Sequence, residues 1–166
     1  MRISVRQPSI EYYMNNIEYV KLNEVNPKEF IPLLNKQKVR DHLIDHKLFD
    51  EKSVKAWLES KVEVDSSQGC KVRAIVVDNQ LIGWCGIQPD DENFELAVVI
   101  DDNYWGLGKK IFLEIMAWAR EFGHKTVFIH FLYTRPEYKF LRKISKRVYE
   151  NEILGSKFTT YELVVK

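Results

Sequence analysis

The sequence predicts one α/β (α+β) domain, a mixed and mostly antiparallel sheet of about seven strands flanked by about four helices. Three observations carry that prediction. A chain of 166 residues, 45% of them hydrophobic, is large enough for one genuine core. Hydrophobic periodicity alternates between the strand and helix repeats and gives the order βααβββαβαββ. The stretch "ELAVVIDDNYWGLGKKIFLEIMAWAREFGHKTVFIHFL", Glu95 to Leu132, then runs from strand through a glycine turn into helix and back to strand.

Residues 1–16 read as an irregular arm preceding a domain over 17–166. "IEYVKLNEV" (17–25) alternates apolar and polar residues as a half-buried strand does. "NPKEFIPLLNKQKV" follows as a helix, with Asn26 placed to cap it and Pro27 at its first position. In "FDEKSVKAWLESKVEV" Asp50 can cap a second helix whose Val54, Trp57, Leu58 and Val62 share a face. After the "SSQG" turn, "KVRAIVVDN" and "LIGWCGIQ" form a hairpin around Asn79-Gln80, and "DDEN" turns the chain into "FELAVVI". The helix "KKIFLEIMAWAREFG" carries Ile111, Ile115, Trp118, Ala119 and Phe122 on one face, and Gly123 stops it. "TVFIHFL" is a strand, Pro136 to about Val148 a helix, and "NEILG" and "FTTYELVVK" two closing strands.

A net charge of +1 supplies no bulk field for a nucleic acid or a membrane surface. No apolar run reaches the roughly 18 residues of a membrane span, and the first residues lack the apolar core of a secretory signal. Cys70 and Cys85 have neither metal-ligand spacing nor a disulfide framework around them, so the expectation is a reduced, cytoplasmic protein without a metal. A homodimer is left open.

Gly106 and Gly108, between an apolar strand and two lysines, mark a place to hold phosphate. A Walker loop would need Gly at Asn103 and Ser or Thr at Lys110, and a dinucleotide fingerprint would need a third Gly at Ile111. Both fail. The order strand, glycine turn, helix, strand after an antiparallel run resembles the GNAT superfamily of N-acetyltransferases. "ELAVVIDDNYWGLGKKIF", "MAWAREFG" and "KTVFIHFL" carry the resemblance, with "VRDHLIDHKLFDEKSVKAWLESK" upstream.

That resemblance implies a GNAT-like fold and acetyl-CoA as cosubstrate. Val98, Val99 and Ile100 would hold the pantetheine arm, and Trp105, Gly106, Leu107, Gly108, Lys109 and Lys110 the pyrophosphate. The glycines would allow close backbone approach and unusual dihedrals. The family pattern Gln/Arg-x-x-Gly-x-Gly/Ala is not fully kept: Asn103 or Trp105, depending on register, stands in the Gln/Arg place. Lys109 or Lys110 could supply that charge.

Acetyl transfer to an amine needs a base, a polarised carbonyl and a proton for the thiolate. Glu95, at the start of the strand, matches a glutamate that many members place facing the acceptor. Tyr138 is the candidate proton donor, since Leu141 stands near the family's tyrosine position. His130 reads either as a proton relay or as a hydrogen-bonded sheet histidine, and Cys85 as a buried thiol. Arg135, Lys139, Arg142, Lys143, Lys146 and Arg147 form an outward basic face, Lys139, Arg142, Lys143 and Arg147 recurring at helical spacing as one stripe, which is solvated, touches the coenzyme's ribose phosphate or docks an acidic partner. The function expected is acetylation of a primary amine on a small molecule, peptide or protein. The rival is a GNAT-like module that binds acyl-CoA or a partner without turnover.

Overall fold

A computed structural model describes Ser9 and residues 16–166. The arm expected over 1–16 therefore lies almost wholly outside the described residues. The strands are β1 (Ile17–Val20), β2 (Lys71–Val77), β3 (Gln80–Asp90), β4 (Asn93–Ile100), β5 (Thr126–Leu132), β6 (Arg147–Ile153) and β7 (Ser156–Val164). They form one sheet in the order β1-β2-β3-β4-β5-β7-β6. Every neighbouring pair is antiparallel except β4 and β5. The helices are α1 (Phe30–Asn35), α2 (Gln37–Arg40), α3 (Glu51–Asp65), α4 (Gly108–Phe122) and α5 (Lys139–Ile144).

Three turns set the hairpin registers. Asp78 and Asn79 both have positive φ (50° and 62°), the two-residue geometry whose twist matches the flanking strands. The turn thus sits one residue earlier than the expected Asn79-Gln80. Asp91 (φ 51°) turns β3 into β4, and Leu154-Gly155 (φ 50° and 80°) joins β6 to β7.

One face of the sheet packs on α4. Ile111, Ile115, Trp118 and Ala119 are buried there against Ile75, Ile87, Leu96, Val127, Ile129 and Tyr161. Phe122 was expected on the same face but is 45% exposed, because Gly123 ends the helix in a left-handed cap (φ 80°) one residue later. The other face packs on α1 and α3, where Phe30, Leu33, Leu34, Val54 and Leu58 meet Val72, Ala74, Trp84 and Val99. The Asp50 carboxylate accepts from the Ser53 amide at 2.8 Å and the Ser53 hydroxyl from the Asp50 amide at 2.9 Å, a reciprocal cap that fixes where α3 starts. This second cluster stops at β4, so α1 and α3 cover only the β1–β4 half of their face.

Two expected elements change length. The helix after Asn26 breaks into a 3₁₀ turn (Pro27–Glu29), α1 and α2. The helix expected from Pro136 to about Val148 shrinks to α5, six residues. Ser145 leaves the helix in extended backbone, its hydroxyl donating to the Leu141 carbonyl at 2.5 Å, and Arg147 begins the ladder to β7. Sheet pairing wins over helical spacing there.

Candidate active site

The site begins with a missing ladder. β4 and β5 pair only through Glu95↔Phe128 and Leu96↔Ile129. Beyond Leu96, β4 keeps its β3 partners to Ile100 but has none on β5. Backbone polar groups of Val98–Ile100 are left facing a gap, and such groups seek a partner. The indole Nε1 of Trp105 donates to the Ile100 carbonyl at 3.0 Å and meets one of them.

A cleft of about 320 Å³ fills this gap on the α4 side. Of the residues the sequence put on the cofactor, Val98, Val99, Ile100, Trp105, Gly106, Gly108 and Lys109 line it. Leu107 is fully buried in the α4 core, and Lys110 is exposed outside the lining. Gly108 opens α4 with ordinary helical dihedrals (φ −55°, ψ −44°), and neither Gly106 nor Gly108 has positive φ. The expectation of unusual dihedrals is thus corrected. What Gly108 contributes is space, since a Cβ there would meet nothing within 4 Å. Its N–H donates to the Trp105 carbonyl, closing the 3₁₀ turn Asp102–Leu107 that runs straight into the 15-residue helix, so what the turn offers a ligand is room beside the positive end of α4.

Lys38 and His42, invisible to pattern reading, join the lining from the α2 segment, and Arg135, one of the cations read as a possible coenzyme contact, joins it from the turn after β5. His42 Nδ1 and Arg135 Nε are buried without a hydrogen-bond partner, and burial followed by the charge of Arg135 lowers the His42 pKa. Orphaned donors at a cleft wall suit a polar ligand with acceptor oxygens. These orphans, the space left at Gly108 and the cationic rim fit a nucleotide–pantetheine cofactor such as acetyl-CoA. Lys36 binds Asp101 (3.1 Å) and Asp102 (2.5 Å), which ties the α1–α2 junction to the glycine turn.

Tyr138 also lines the cleft, but as the extended N-cap of α5 rather than inside a helix. Its hydroxyl accepts from Arg135 Nη2 at 3.1 Å, so the hydroxyl proton is free to be donated elsewhere. The Arg135 guanidinium stacks over Phe131 at 4.2 Å, which fixes both groups at the wall.

Glu95 lies outside this cleft, on the opposite face of the sheet by strand alternation. Its Oε1 accepts from Gln88 Nε2 at 3.2 Å, and Gln88 Oε1 accepts from the Lys61 ammonium. An ammonium can only donate, so Lys61 dictates which end of the Gln88 amide faces Glu95. Burial pushes the Glu95 carboxyl above its usual range; the nearby Asp90 charge adds to this, while His130, Lys61 and Gln88 work against it. Burial likewise lowers the Lys61 pKa, opposed by Glu95.

His130 stands between two carboxylates. Its Nε2 is 2.8 Å from Asp90 Oδ2 and 3.8 Å from Glu95 Oε2, while Nδ1 is 2.8 Å from the hydroxyl of fully buried Thr160. Asp90, Glu95 and His130 each place a donor atom within 4.8 Å of the others, and a proton shared by His130 and Asp90 accounts for the shortest approach. Sequence reading missed Asp90, because a residue at a hairpin end carries no spacing that points to β5. Cys70 and Cys85 are both free and buried, and burial pushes the Cys85 thiol far up, away from nucleophile chemistry. Among the described residues no helix is long and apolar enough to cross a membrane.

Comparison with known proteins agrees with this geometry. Residues 36–143 match the model of the acetyltransferase (GNAT) family. No curated protein sequence matches the chain. Among solved structures, a GNAT-family acetyltransferase from Streptococcus pneumoniae aligns with TM-score 0.63 at 15% identity, over 90% of this chain and 98% of that one. A ribosomal-protein-alanine N-acetyltransferase from Brucella melitensis gives 0.66 at 15% identity, over 89% and 98%. RimL, the ribosomal L7/L12 alpha-N-protein acetyltransferase in complex with coenzyme A, gives 0.70 at 11% identity, over 90% and 94%. At these identities the structures speak for the fold, and the family model covers most of the chain, split strands and glycine turn included: the chain belongs to the acetyltransferase (GNAT) family.

Proposed function

We propose that this chain is an acetyl-CoA-dependent N-acetyltransferase acting on a primary amine. The observation that carries the reading is the gap between β4 and β5. It has a cofactor-sized cleft with an uncrowded glycine turn on one side and a half-buried carboxylate, Glu95, on the other.

When bound, acetyl-CoA supplies an activated acetyl thioester, and the protein supplies position, charge and protons. Val98–Ile100 present backbone N–H groups without β5 partners, suited to the negative charge that grows on an acetyl oxygen. Glu95 takes the proton released by the attacking amine, directly or through a water, and burial makes it a stronger base than an exposed glutamate. Tyr138, whose hydroxyl proton is free, gives the proton that the departing sulfur needs.

The test is release of free thiol from acetyl-CoA by purified protein across a panel of amines and peptides. Thiol release matched by an acetylated amine is the expected result. Coenzyme A binding without thiol release from any acceptor would leave a binding module on the same fold.

A further inference from the structure

The uncovered half of the second sheet face holds a groove of about 540 Å³ that neither the core nor the cofactor cleft uses. We infer that this groove is the acceptor site, and that it selects an amine carrying a second positive charge along an aliphatic chain. This rests on the acetyltransferase reading above.

Position comes first. β5 sends Ile129 and Phe131 to the cofactor cleft and Phe128 and His130 to the groove, so the two hollows lie on opposite faces of one strand. His130 forms part of the groove wall and stands 3.8 Å from Glu95. An amine held in the groove therefore lies beside His130, the neighbour of the base, on the face opposite Ile129 and Phe131.

Charge comes second. Asp90, Asp91 and Glu152 line the groove, and Glu95 lies behind His130. The cation in the wall, Arg147, is already occupied: its Nε pairs with Glu162 Oε2 at 3.2 Å, and its guanidinium lies over Tyr149 at 4.6 Å. The field offered to a ligand is negative, which concentrates cations and repels acidic acceptors.

Shape comes third. Phe128, Tyr149 and Leu154 supply apolar wall between the acids. Leu154 is 84% exposed at the hairpin tip, surface that a methylene chain beneath it would cover. The groove is walled by β5 and by β6, the edge strand of the sheet. An alkyl chain with ammonium groups is satisfied by this apolar wall and the acids, with no main-chain partner needed.

The experiment compares n-hexylamine with 1,6-diaminohexane, matched in length and differing by one charge, by thiol release from acetyl-CoA. In a parallel arm, spermidine is titrated calorimetrically into the coenzyme A-loaded protein. The diamine should show kcat/KM at least about tenfold above the monoamine at low salt, a ratio that falls as salt screens the groove. Asp91→Asn with Glu152→Gln should erase that ratio and weaken spermidine binding about tenfold. Asn accepts the φ of 51° at position 91, and a retained melting shift with coenzyme A would show that the variant is folded. Equal constants for the two amines, or a preference that survives the double variant, would overturn the inference. If no amine is acetylated, the spermidine arm still decides: binding lost in the variant upholds the groove while the enzymatic reading falls, and absence of binding to the unaltered protein rejects the groove.

Discussion

The cofactor cleft and the groove share a strand but differ in almost every physical respect. The cleft is walled by Val98, Ile100, Phe112, Phe131 and Leu141, rimmed by Lys38, Lys109 and Arg135, and entered by a helix N-terminus. The groove is lined by acids and by groups already bonded to one another. A bulky anion therefore fits one side of β5 and a cation the other. The difference teaches how one strand gives a sheet two hollows of opposite charge: residue alternation along β5 sends Ile129 and Phe131 to one face and Phe128 and His130 to the other.

The largest effect should come from closing the cleft while leaving the groove intact. Gly108→Asp puts a Cβ and a negative charge into space that is now empty at the mouth of α4. It should abolish the rise in melting temperature that coenzyme A gives the unaltered protein. Calorimetric binding of spermidine to the cofactor-free variant should persist. An undiminished coenzyme A shift would remove the glycine turn from the cofactor site.

Next in size is the loss of the base. Glu95→Gln retains an acceptor for Gln88 but cannot take a proton, so turnover should fall by about 10²-fold with the coenzyme A shift unchanged. In the unaltered protein activity should rise with pH as the carboxyl ionises, on a limb displaced upward from that of free glutamate. The same burial has a stability cost. A carboxyl whose folded pKa lies above its unfolded one contributes most when protonated, and this contribution is lost as pH rises through the folded value. The Gln variant should therefore melt about 2 °C higher than the parent at pH 8, with the advantage gone by pH 4. Equal activity of variant and parent would hand the proton to another group.

How much of this was readable in the residues follows the same division. The order of the elements was legible because strand and helix periods are local, and the glycine turn because strand, turn and helix are contiguous. The cofactor side was consequently half written in one segment, Val98 to Lys109. The groove was not, since its acids come from two hairpin ends and its wall from β6, which register rather than spacing brings together. Glu95 could be singled out by its place on the strand, but its Gln88–Lys61 support could not, as Lys61 reads as one more charge on the polar side of α3. His42 was missed for a like reason, being a residue at a helix end until the fold set it at one wall with Arg135.

A smaller and more diagnostic change is Lys61→Met. It removes the cation that helps hold Glu95 ionised and frees the Gln88 amide to turn. The groups facing Glu95 from other elements, His130 and Asp90, remain. The acid limb of the activity profile should move to higher pH, with kcat recovered at high pH. Lys61→Arg should restore most of the position of the limb. A uniform loss at all pH values would mean that Lys61 serves packing alone.

The smallest effect is expected where the sequence suggested an outward basic stripe, and here the fold has dispersed the charges. Arg142 pairs with Glu137, while Arg147 lies on β6 and pairs with Glu162 at the groove. Lys139 and Lys143 remain exposed on α5, a helix of six residues. Reversal at Lys143→Glu should change stability by no more than about 0.5 kcal/mol. The coenzyme A shift and the diamine preference should stay as they were. Arg147→Glu, four residues on, should behave differently, because it leaves the Glu162 carboxylate facing a second negative charge beside the groove. That variant should keep its coenzyme A shift while losing stability and changing the ratio between diamine and monoamine. If the two reversals gave the same result, the division between a chemical face and an inert one would fail at this edge of the sheet.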